Sequence, residues 1–394
     1  MKDKTTTKPF YNSTIPSDWE VMEFGEFAEI VMGQSPEGNT YNQNGDGVAL
    51  INGPTEFTEK YPVKVQWTTS PTKICREGDI LLCVRGSSTG RLNIANEEYC
   101  IGRGVAAIRA KKNSNHSFLE FQIENIVNKI LALTTGSTFP NINSQSLKRI
   151  KVSLPPLPEQ KAIAHILSLM DTAINKNNLL IAKKELQKKW LMQNLLTGKK
   201  RLNGFKGAWK RISAGEIFES ITVKGFSDEE LLSATQDRGM IPRNMLEGRV
   251  TMPTSGTEGF KLIEKGDFVI SLRSFQGGLE YSYYRGLVSP AYTVLKPKKK
   301  ISDEFYKFYF KSYDFIGHLA VAVIGIRDGK QISYEDFCFV KIPYPSIEEQ
   351  TAIAKVLQAS DKEIQLLKTR TEKLREKKKG LMQILLTGKK RLTI

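Results

Sequence analysis

The chain has 394 residues, of which 40% are hydrophobic and 25% charged, and these values exclude a disordered or fibrous protein. The length is sufficient for two or three domains with their own cores. The net charge of +16 favours a polyanionic partner, with nucleic acid as the first expectation and a membrane surface or an acidic protein as alternatives.

The cysteines and the apolar runs indicate the compartment. Cys75, Cys83, Cys100 and Cys338 form no Cys-x-x-Cys pair, and three of them lie in the first half, so reduced thiols of a cytoplasmic protein are expected. With only three histidines, no metal-ligand spacing occurs. The N-terminus lacks a signal-peptide pattern, and the longest apolar run, near 319–326, is too short to cross a membrane.

The first module begins with residues 1–16, a polar stretch that predicts a loose arm. Residues 17–154 form the first globular region. It contains short β-type runs such as KICREGDILLCVR and YCIGRGVAAIRA, separated by Gly, Asn and Ser turns. A helix near 117–133 follows, and then a loop, a short helix and a strand. This order predicts a mixed α/β domain.

Residues 155–202 predict one long helix. Apolar residues at steps of three and four form a seam over about five heptads, and Gly198 with the following Lys-Lys-Arg ends it. About 38 helical residues span roughly 57 Å. Asn177, Lys184 and Lys188 interrupt the seam, which favours pairing with another helix of the same chain. Asn177 either fixes the register of that pair or lies unpaired at the surface.

The second module repeats the first, with a globular region at 203–344 and a helix at 345–394. The two helical segments align at a constant offset of 190, and about half of the aligned positions are identical. The globular regions share a skeleton, as GDILLCVR and GDFVISLR show, but differ in their loops. The run EFYKFYFKSYDFIGHLA predicts a helix that corresponds to the one near 117–133. Similar helices suit two equivalent docking surfaces, and different loops suit two recognition surfaces.

The candidate docking residues are those that both helical copies share near their ends. They are Glu159, Gln160, Leu191 and Leu195 in the first copy and Glu349, Gln350, Leu381 and Leu385 in the second.

The loops supply candidate DNA contacts, because Arg reads guanine, Asn or Gln reads adenine, and Lys holds phosphates. Any single one of these residues equally fits a solvated turn, but their positions on equivalent loops of two basic modules favour DNA. In the first module the candidates are Arg85, Ser87, Ser88, Arg91, Arg103, Asn141 and Asn143. In the second they are Arg273, Ser274, Gln276, Tyr281, Arg285, Arg327 and Lys330.

Two enzyme motifs match in letters only. The run from Gly86 to Gly90 fits the G-x-S-x-G elbow of hydrolases around Ser88, but the residues after it do not form a helix pattern. Likewise the run Gly102-x-Gly104-x-x-Ala107 resembles a dinucleotide fingerprint, but a polar, turn-like stretch follows. A polar loop is the preferred interpretation of the first motif, with a hydrolase as the alternative.

Several motifs, in order and mostly in both modules, carry a family resemblance. They are DWE and GAWK, GDILLCVRGS, GIRDGKQIS, LPPLPEQ-x-AIA, LMQNLLTGKKRL and LMQILLTGKKRL. Over nearly its whole length the chain resembles the specificity subunit of type I restriction–modification systems. The resemblance implies an α+β fold: two mixed α/β target-recognition domains in a pseudo-twofold repeat, separated by two long helices that form an antiparallel coiled coil.

The resemblance also implies a function as a DNA sequence-recognition subunit, in which each domain reads one half of a gapped site in double-stranded DNA. Two methylation subunits would dock on the helices and methylate adenine N6, and two restriction subunits can join them. S-adenosylmethionine, ATP and magnesium would bind those partners, so this chain would hold no cofactor and no catalytic residue. A DNA-binding adaptor or regulator without a methyltransferase is the alternative.

Overall fold

The computed structural model describes residues 7–11, 13–133, 141–246, 256–272, 274–322 and 332–392. The chain forms two units. Unit 1 comprises Met1–Asn177 and Arg370–Ile394, and unit 2 comprises Asn178–Thr369. Each unit therefore holds one globular domain together with half of each long helix.

Unit 1 contains the elements of the first domain. In chain order they are β1 (Thr7–Phe10), β2 (Ser13–Pro16), β3 (Glu20–Glu23), α1 (Phe24–Phe27), β4 (Ala28–Met32), a 3-10 turn (Gly38–Thr40), β5 (Tyr41–Asn42), β6 (Val48–Ile51), β7 (Trp67–Thr68), β8 (Ile74–Cys75), β9 (Ile80–Cys83), β10 (Leu92–Ile94), β11 (Tyr99–Ile101), β12 (Val105–Ala110), α2 (His116–Leu133), α3 (Ser144–Lys148) and β13 (Lys151–Leu154). The first long helix, α4 (Leu157–Leu195), follows.

Two sheets build domain 1. The four-stranded sheet has the order β10-β9-β12-β4 and is antiparallel throughout. The five-stranded sheet has the order β5-β7-β6-β11-β8, with β11 parallel to β6. β9 is buried on both faces, which explains its continuous apolar run. The main core contains Trp19, Phe118 and Leu167, together with Leu385 from the second long helix.

The prediction of a loose N-terminal arm is wrong for its described part. β1 and β2 pair antiparallel, with Lys8 opposite Ile15. Ile15 is 1% exposed and belongs to the core of domain 1, so burial of this one side chain anchors the segment. The polar composition around it concealed this anchor.

Unit 2 contains the elements of the second domain. They are β14 (Lys210–Ser213), α5 (Ala214–Ile217), β15 (Phe218–Ile221), β16 (Leu232–Thr235), β17 (Gly239–Pro242), a 3-10 turn (Arg243–Met245), β18 (Lys261–Ile263), β19 (Phe268–Ile270), α6 (Ser274–Gly277), β20 (Glu280–Tyr281), β21 (Gly286–Val288), β22 (Thr293–Pro297), α7 (Asp303–Tyr309), α8 (Tyr313–Ala322), α9 (Tyr334–Phe339) and β23 (Lys341–Tyr344). The second long helix, α10 (Ile347–Leu385), follows.

Domain 2 repeats the central sheet of domain 1. Its order β15-β22-β19-β20 corresponds strand for strand to β4-β12-β9-β10. Its core is aromatic, and Phe218 and Phe310 contact each other with their ring centroids 5.4 Å apart. The single helix expected from EFYKFYFKSYDFIGHLA is in fact two, α7 and α8. The chain breaks at Ser312, whose hydroxyl accepts the Phe315 N–H at 3.3 Å and so begins the second helix.

The long helices pair antiparallel within each unit, because partner numbers fall as those of α4 rise. In unit 1 the cross-helix pairs are Asp171–Lys378 and Asn177–Thr371, and Glu159 pairs with Arg391, which follows α10. In unit 2 they are Lys184–Glu363 and Lys188–Asp361, and Glu349 pairs with Arg201, which follows α4.

The polar residues that interrupt the seam all have cross-helix partners. Asn177 donates from Nδ2 to Thr371 Oγ1 at 2.6 Å, and both side chains are buried. Of the two expectations for Asn177, the paired one is therefore confirmed. At the equivalent repeat positions stand Ile181 and Leu367, so this hydrogen bond has an apolar counterpart in unit 2.

These observations confirm the predicted fold class of two mixed α/β domains and two long, antiparallel helices. Within the described part of the chain, no helix is long and apolar enough to cross a membrane.

Candidate nucleic-acid interface

Three of the predicted DNA-binding residues of domain 1 lie side by side at one edge of the four-stranded sheet. The Val84 N–H bonds to the Gly104 carbonyl at 2.9 Å, and the Ile142 N–H bonds to the Val84 carbonyl at 2.9 Å. These bonds join the ends of three segments that are far apart in sequence. As a result, the neighbouring side chains of Arg85, Arg103 and Asn141 are adjacent and exposed.

A tight loop carries the exposed Ser87 beside Arg85. Gly86 and Gly90 both have positive φ, +83° and +95°, which glycine adopts without strain. Ser88 is half-buried, and its carbonyl accepts the Arg91 N–H at 3.1 Å. The loop thus presents a small hydroxyl next to a guanidinium at the domain edge.

Two further candidates of domain 1, Arg91 and Asn143, make structural bonds; both are exposed and stay predicted DNA contacts. The Arg91 guanidinium donates to the carbonyls of Pro54 and Phe57, at 3.2 and 2.8 Å, and so fastens a neighbouring loop. Asn143 caps α3 by accepting the Ser146 N–H at 2.8 Å. Both side chains have structural partners that the sequence did not reveal.

Sequence reasoning missed two exposed residues at the same edge, Gln34 and Lys73. The Gln34 N–H bonds to the Ile101 carbonyl, and the Ile101 N–H bonds to the Lys73 carbonyl, at 2.9 and 2.8 Å. Both residues therefore flank Ile101, two positions before Arg103. The available signal was the run VMGQSP, in which polar residues directly follow the strand β4.

Domain 2 has a corresponding edge with different side chains. Lys224 follows β15 as Gln34 follows β4, and Lys261 lies opposite Val288 at the end of β21 as Lys73 lies opposite Ile101. The Lys261 ammonium donates to the Tyr292 carbonyl at 2.6 Å. Burial, with a further effect from the charge of Lys224, lowers the pKa of Lys261. The described part of this edge is therefore cationic, and Lys224 stands where domain 1 has the Gln34 amide.

Three predicted DNA contacts of domain 2 serve its scaffold. Ser274 is fully buried, and its hydroxyl accepts the Ser271 N–H at 2.8 Å. Tyr281 is 3% exposed and donates to Asp303 at 2.6 Å. The Arg285 guanidinium pairs with two carboxylates, those of Glu229 at 2.7 Å and Glu264 at 2.9 Å.

The remaining candidates of domain 2 stay predictions. Arg273, Arg327 and Lys330 lie outside the described residues. The backbone of Gln276 belongs to α6, but its side chain is likewise outside what the structure describes.

The carboxylates predicted to dock partners are instead buried within the chain. Glu159 is 1% exposed and accepts the Trp19 indole N–H at 3.1 Å and two bonds from Arg391, at 2.7 and 2.8 Å. In unit 2, Glu349 is 2% exposed and accepts from Trp209 at 2.9 Å and twice from Arg201 at 2.5 Å. Each arginine comes from the segment that follows the other long helix.

The two glutamines lie next to these carboxylates, where each long helix meets its domain; these two junctions are called joints below. Gln160 accepts the Asn115 N–H at 3.0 Å and donates to the Pro155 carbonyl at 3.0 Å. Gln350 makes the same two bonds in unit 2, to the Ser302 N–H at 2.8 Å and the Pro345 carbonyl at 2.9 Å. Each glutamine therefore fastens the start of a long helix to the domain before it.

The four leucines predicted to dock partners also pack within the chain. Leu195 and Leu385 are 4% and 2% exposed, and each belongs to a domain core, with Leu191 and Leu381 packed beside them. All eight predicted docking side chains are thus engaged within the chain. Identity between the two copies marked two equivalent internal joints, because each joint needs the same carboxylate, amide and leucines.

The enzyme motifs have no structural support. The strand β10 follows Gly90 where the hydrolase elbow requires a helix, and the second motif runs directly into the strand β12. The cysteines are all free, and burial raises the pKa of Cys83 to about 11 and of Cys75 to about 12. These thiols are therefore protonated near neutral pH.

The profile of the "Type I restriction modification DNA specificity domain" matches residues 16–187 and again residues 206–376. The chain belongs to the type I restriction–modification specificity family. The family assignment made from the sequence is confirmed, and the matched profile is that of a DNA specificity domain.

Two curated relatives are specificity subunits of Methanocaldococcus jannaschii. The putative type I restriction enzyme MjaX specificity subunit is 42% identical over 191 residues, which is 48% of this chain and 45% of the relative. The chain thus spans about half of that relative. The type I restriction enzyme MjaVIII specificity subunit is 25% identical over 98% of this chain and 96% of its own length.

Two solved structures share the fold. The type I restriction–modification S subunit from M. genitalium has a TM-score of 0.54 at 18% identity, covering 98% of this chain and 100% of its own. The HsdS subunit from Thermoanaerobacter tengcongensis has a TM-score of 0.53 at 18% identity, covering 95% and 98%. Both matches extend over both domains and both long helices.

Proposed function

We propose that the chain is the DNA sequence-recognition subunit of a type I restriction–modification complex and that each domain reads one half of a gapped site. The observation that carries this proposal is the pair of equivalent sheet edges with different side chains. Both edges carry cations, Lys73 in domain 1 and Lys261 in domain 2, but they differ at Gln34, where domain 2 has Lys224. At the first edge, Arg85, Arg103 and Asn141 add base-reading groups. Two such edges on one chain suit a site with two unlike halves.

The long helices would set the distance between the half-sites. Each has 39 residues and is therefore about 58 Å long, which corresponds to about 17 base pairs of DNA. A continuous helix transmits a fixed length, so a constant gap between the half-sites is expected. Bipartite readers contact grooves separated in this way.

Two methylation subunits would dock on this chain and transfer a methyl group from S-adenosylmethionine to adenine N6. Restriction subunits that use ATP and magnesium can join them. In this proposal the chain itself is not catalytic and binds no cofactor. Because the eight shared helix-end residues are engaged internally, docking is assigned to the exposed faces of α4 and α10, where Leu179, Leu186 and Leu366 are 73%, 68% and 62% exposed.

The test is co-expression of the chain with its neighbouring methylation subunit in a methylation-free host, followed by long-read mapping of modified adenines. A gapped, two-part motif is expected. A complex that binds DNA but recovers no methyltransferase would instead favour the DNA-binding adaptor.

A further inference from the structure

Gln34 holds an exposed side chain on a fixed backbone at the edge of domain 1 that carries Arg85, Arg103 and Asn141. This edge is called the recognition edge below. Its N–H bonds to the Ile101 carbonyl at 2.9 Å, and its own carbonyl accepts the Thr72 hydroxyl. On its other side, the Ser35 hydroxyl accepts the Arg103 N–H at 3.3 Å, and Pro36 is buried. The backbone is thus fastened on both sides while the amide remains exposed.

The residue before it explains how the segment comes so close to the edge. A Cβ on Gly33 would lie 2.2 Å from the Gly102 carbonyl oxygen and 2.6 Å from that of Ile101. Only glycine allows this approach. The approach places Gln34 directly beside the segment that carries Arg103.

The exposed side chains near Gln34 differ in the groups of DNA that they can bind. Lys73, Arg85 and Arg103 are exposed cations at the same edge and suit phosphates and guanine, and Asn141 is a second exposed amide there. A glutamine amide offers one donor and one acceptor side by side, and adenine presents the matching acceptor N7 and donor N6 in the major groove. The equivalent residue of domain 2, Lys224, lacks this paired pattern.

We infer that Gln34 is a specificity-determining residue that reads an adenine in the half-site of domain 1. This inference rests on the proposed function of the chain. It adds a residue and a base to that function, and it states a difference between the half-sites: the domain 2 edge makes no such contact at the equivalent position.

The experiment uses the full chain, co-expressed with its methylation subunit in a methylation-free host, and compares wild type with Gln34→Ala. The variant is expected to relax one A·T position in one half of the motif, with discrimination there falling roughly 5- to 150-fold. The other half of the motif should not change. Gln34→Arg should shift the preference at the same position toward guanine.

The matched control is Gln43→Ala. Gln43 is also an exposed glutamine of domain 1, but it lies before β6, whereas β6 reaches the recognition edge at its other end. Its motif should equal that of wild type. Melting temperatures of the three variants should also equal that of wild type, because every substituted side chain is exposed.

The outcomes separate the two proposals. A gapped motif for wild type that stays unchanged in Gln34→Ala overturns the inference and leaves the proposed function standing. Loss of all methylation in both Gln34 variants, with unchanged melting, also overturns it, since a base reader should alter one position only. No gapped motif for wild type, with an active methylation subunit, refutes the proposed function itself.

Discussion

Replacing Arg391 by methionine should destabilise domain 1 although the residue lies near the end of the chain. Arg391 makes two bonds to Glu159 and two to Asp18, the latter at 2.8 and 2.9 Å. Its hydrogen bonds hold the pKa of Asp18 below the usual range. Without Arg391, the Glu159 carboxylate would stay buried, and among the described residues the Trp19 indole would be its remaining hydrogen-bond donor.

Removing one partner of a buried ion pair costs about 3–5 kcal/mol. The Glu159 side chain is 2% exposed but that of Arg391 is 30% exposed, so water can partly replace the guanidinium. We therefore expect the lower value, about 3 kcal/mol. For a unit of about 200 residues, this corresponds to a fall in Tm of about 6–12 °C.

The assay is thermal unfolding by circular dichroism, with hydrogen exchange to locate the change in unit 1. Lys390→Met is the matched control, because the Lys390 side chain is exposed. The double variant Glu159→Gln with Arg391→Met should recover most of the loss, because no unpaired buried charge remains. An Arg391→Met protein that melts like wild type would refute the buried-joint account.

Four further outcomes are expected. Asn177→Leu should lower the free energy of unfolding by about 1–3 kcal/mol, because Thr371 loses its hydrogen bond to Asn177. The double variant Asn177→Leu with Thr371→Ile, which introduces the residues of the equivalent repeat positions, should be nearly neutral in denaturant unfolding. Equal losses in the single and double variants would contradict this prediction. Burial, and then the charge of Asp171, raise the pKa of Glu120, so its ionised form opposes folding. Glu120→Gln should therefore raise Tm near pH 7 but not near pH 4, whereas the exposed control Glu59→Gln should not show this difference. A gain in Tm at both pH values would contradict this prediction. Gly33→Ala should lower the free energy of unfolding by about 1–3 kcal/mol, because the added Cβ clashes with backbone carbonyls. The control is Gly38→Ala, whose Cβ meets nothing within 4 Å. Equal stability of the two variants would be inconsistent with the packing around Gly33. Four residues inserted after Asn178, with four matching residues after Arg370 to preserve the pairing, should lengthen each helix by about 6 Å and the methylated gap by under two base pairs; an unchanged gap would contradict the spacing role.

The sequence predicted the long helices well, because a periodic apolar seam and a terminal glycine are local signals. The interrupted seam also predicted pairing within the chain, and the family resemblance implied the antiparallel direction. The polar seam residues Asn177, Lys184 and Lys188 proved to have cross-helix partners. The central strands were predictable as well, since each is a short apolar run between turns. The helix break at Ser312 was not, because the apolar pattern continues through it.

The site was only partly predictable. Arg85, Arg103 and Asn141 were identified as loop residues, but their adjacency depends on bonds between segments far apart in sequence. Glu159 was taken for a docking residue because its partner Arg391 is 232 positions away. Identical residues in the two copies mark positions that need the same side chain. Joints inside the chain need such residues as much as surfaces that bind partner proteins do.

The central claim is that two domains on one chain read two halves of one DNA site. The most direct measurement is the map of modified adenines produced by the chain with its methylation subunit in a methylation-free host. We predict a gapped motif in which Arg85→Ala alters one half and Lys261→Ala leaves that half unchanged. An uninterrupted motif, or a change in both halves from Arg85→Ala alone, would contradict it.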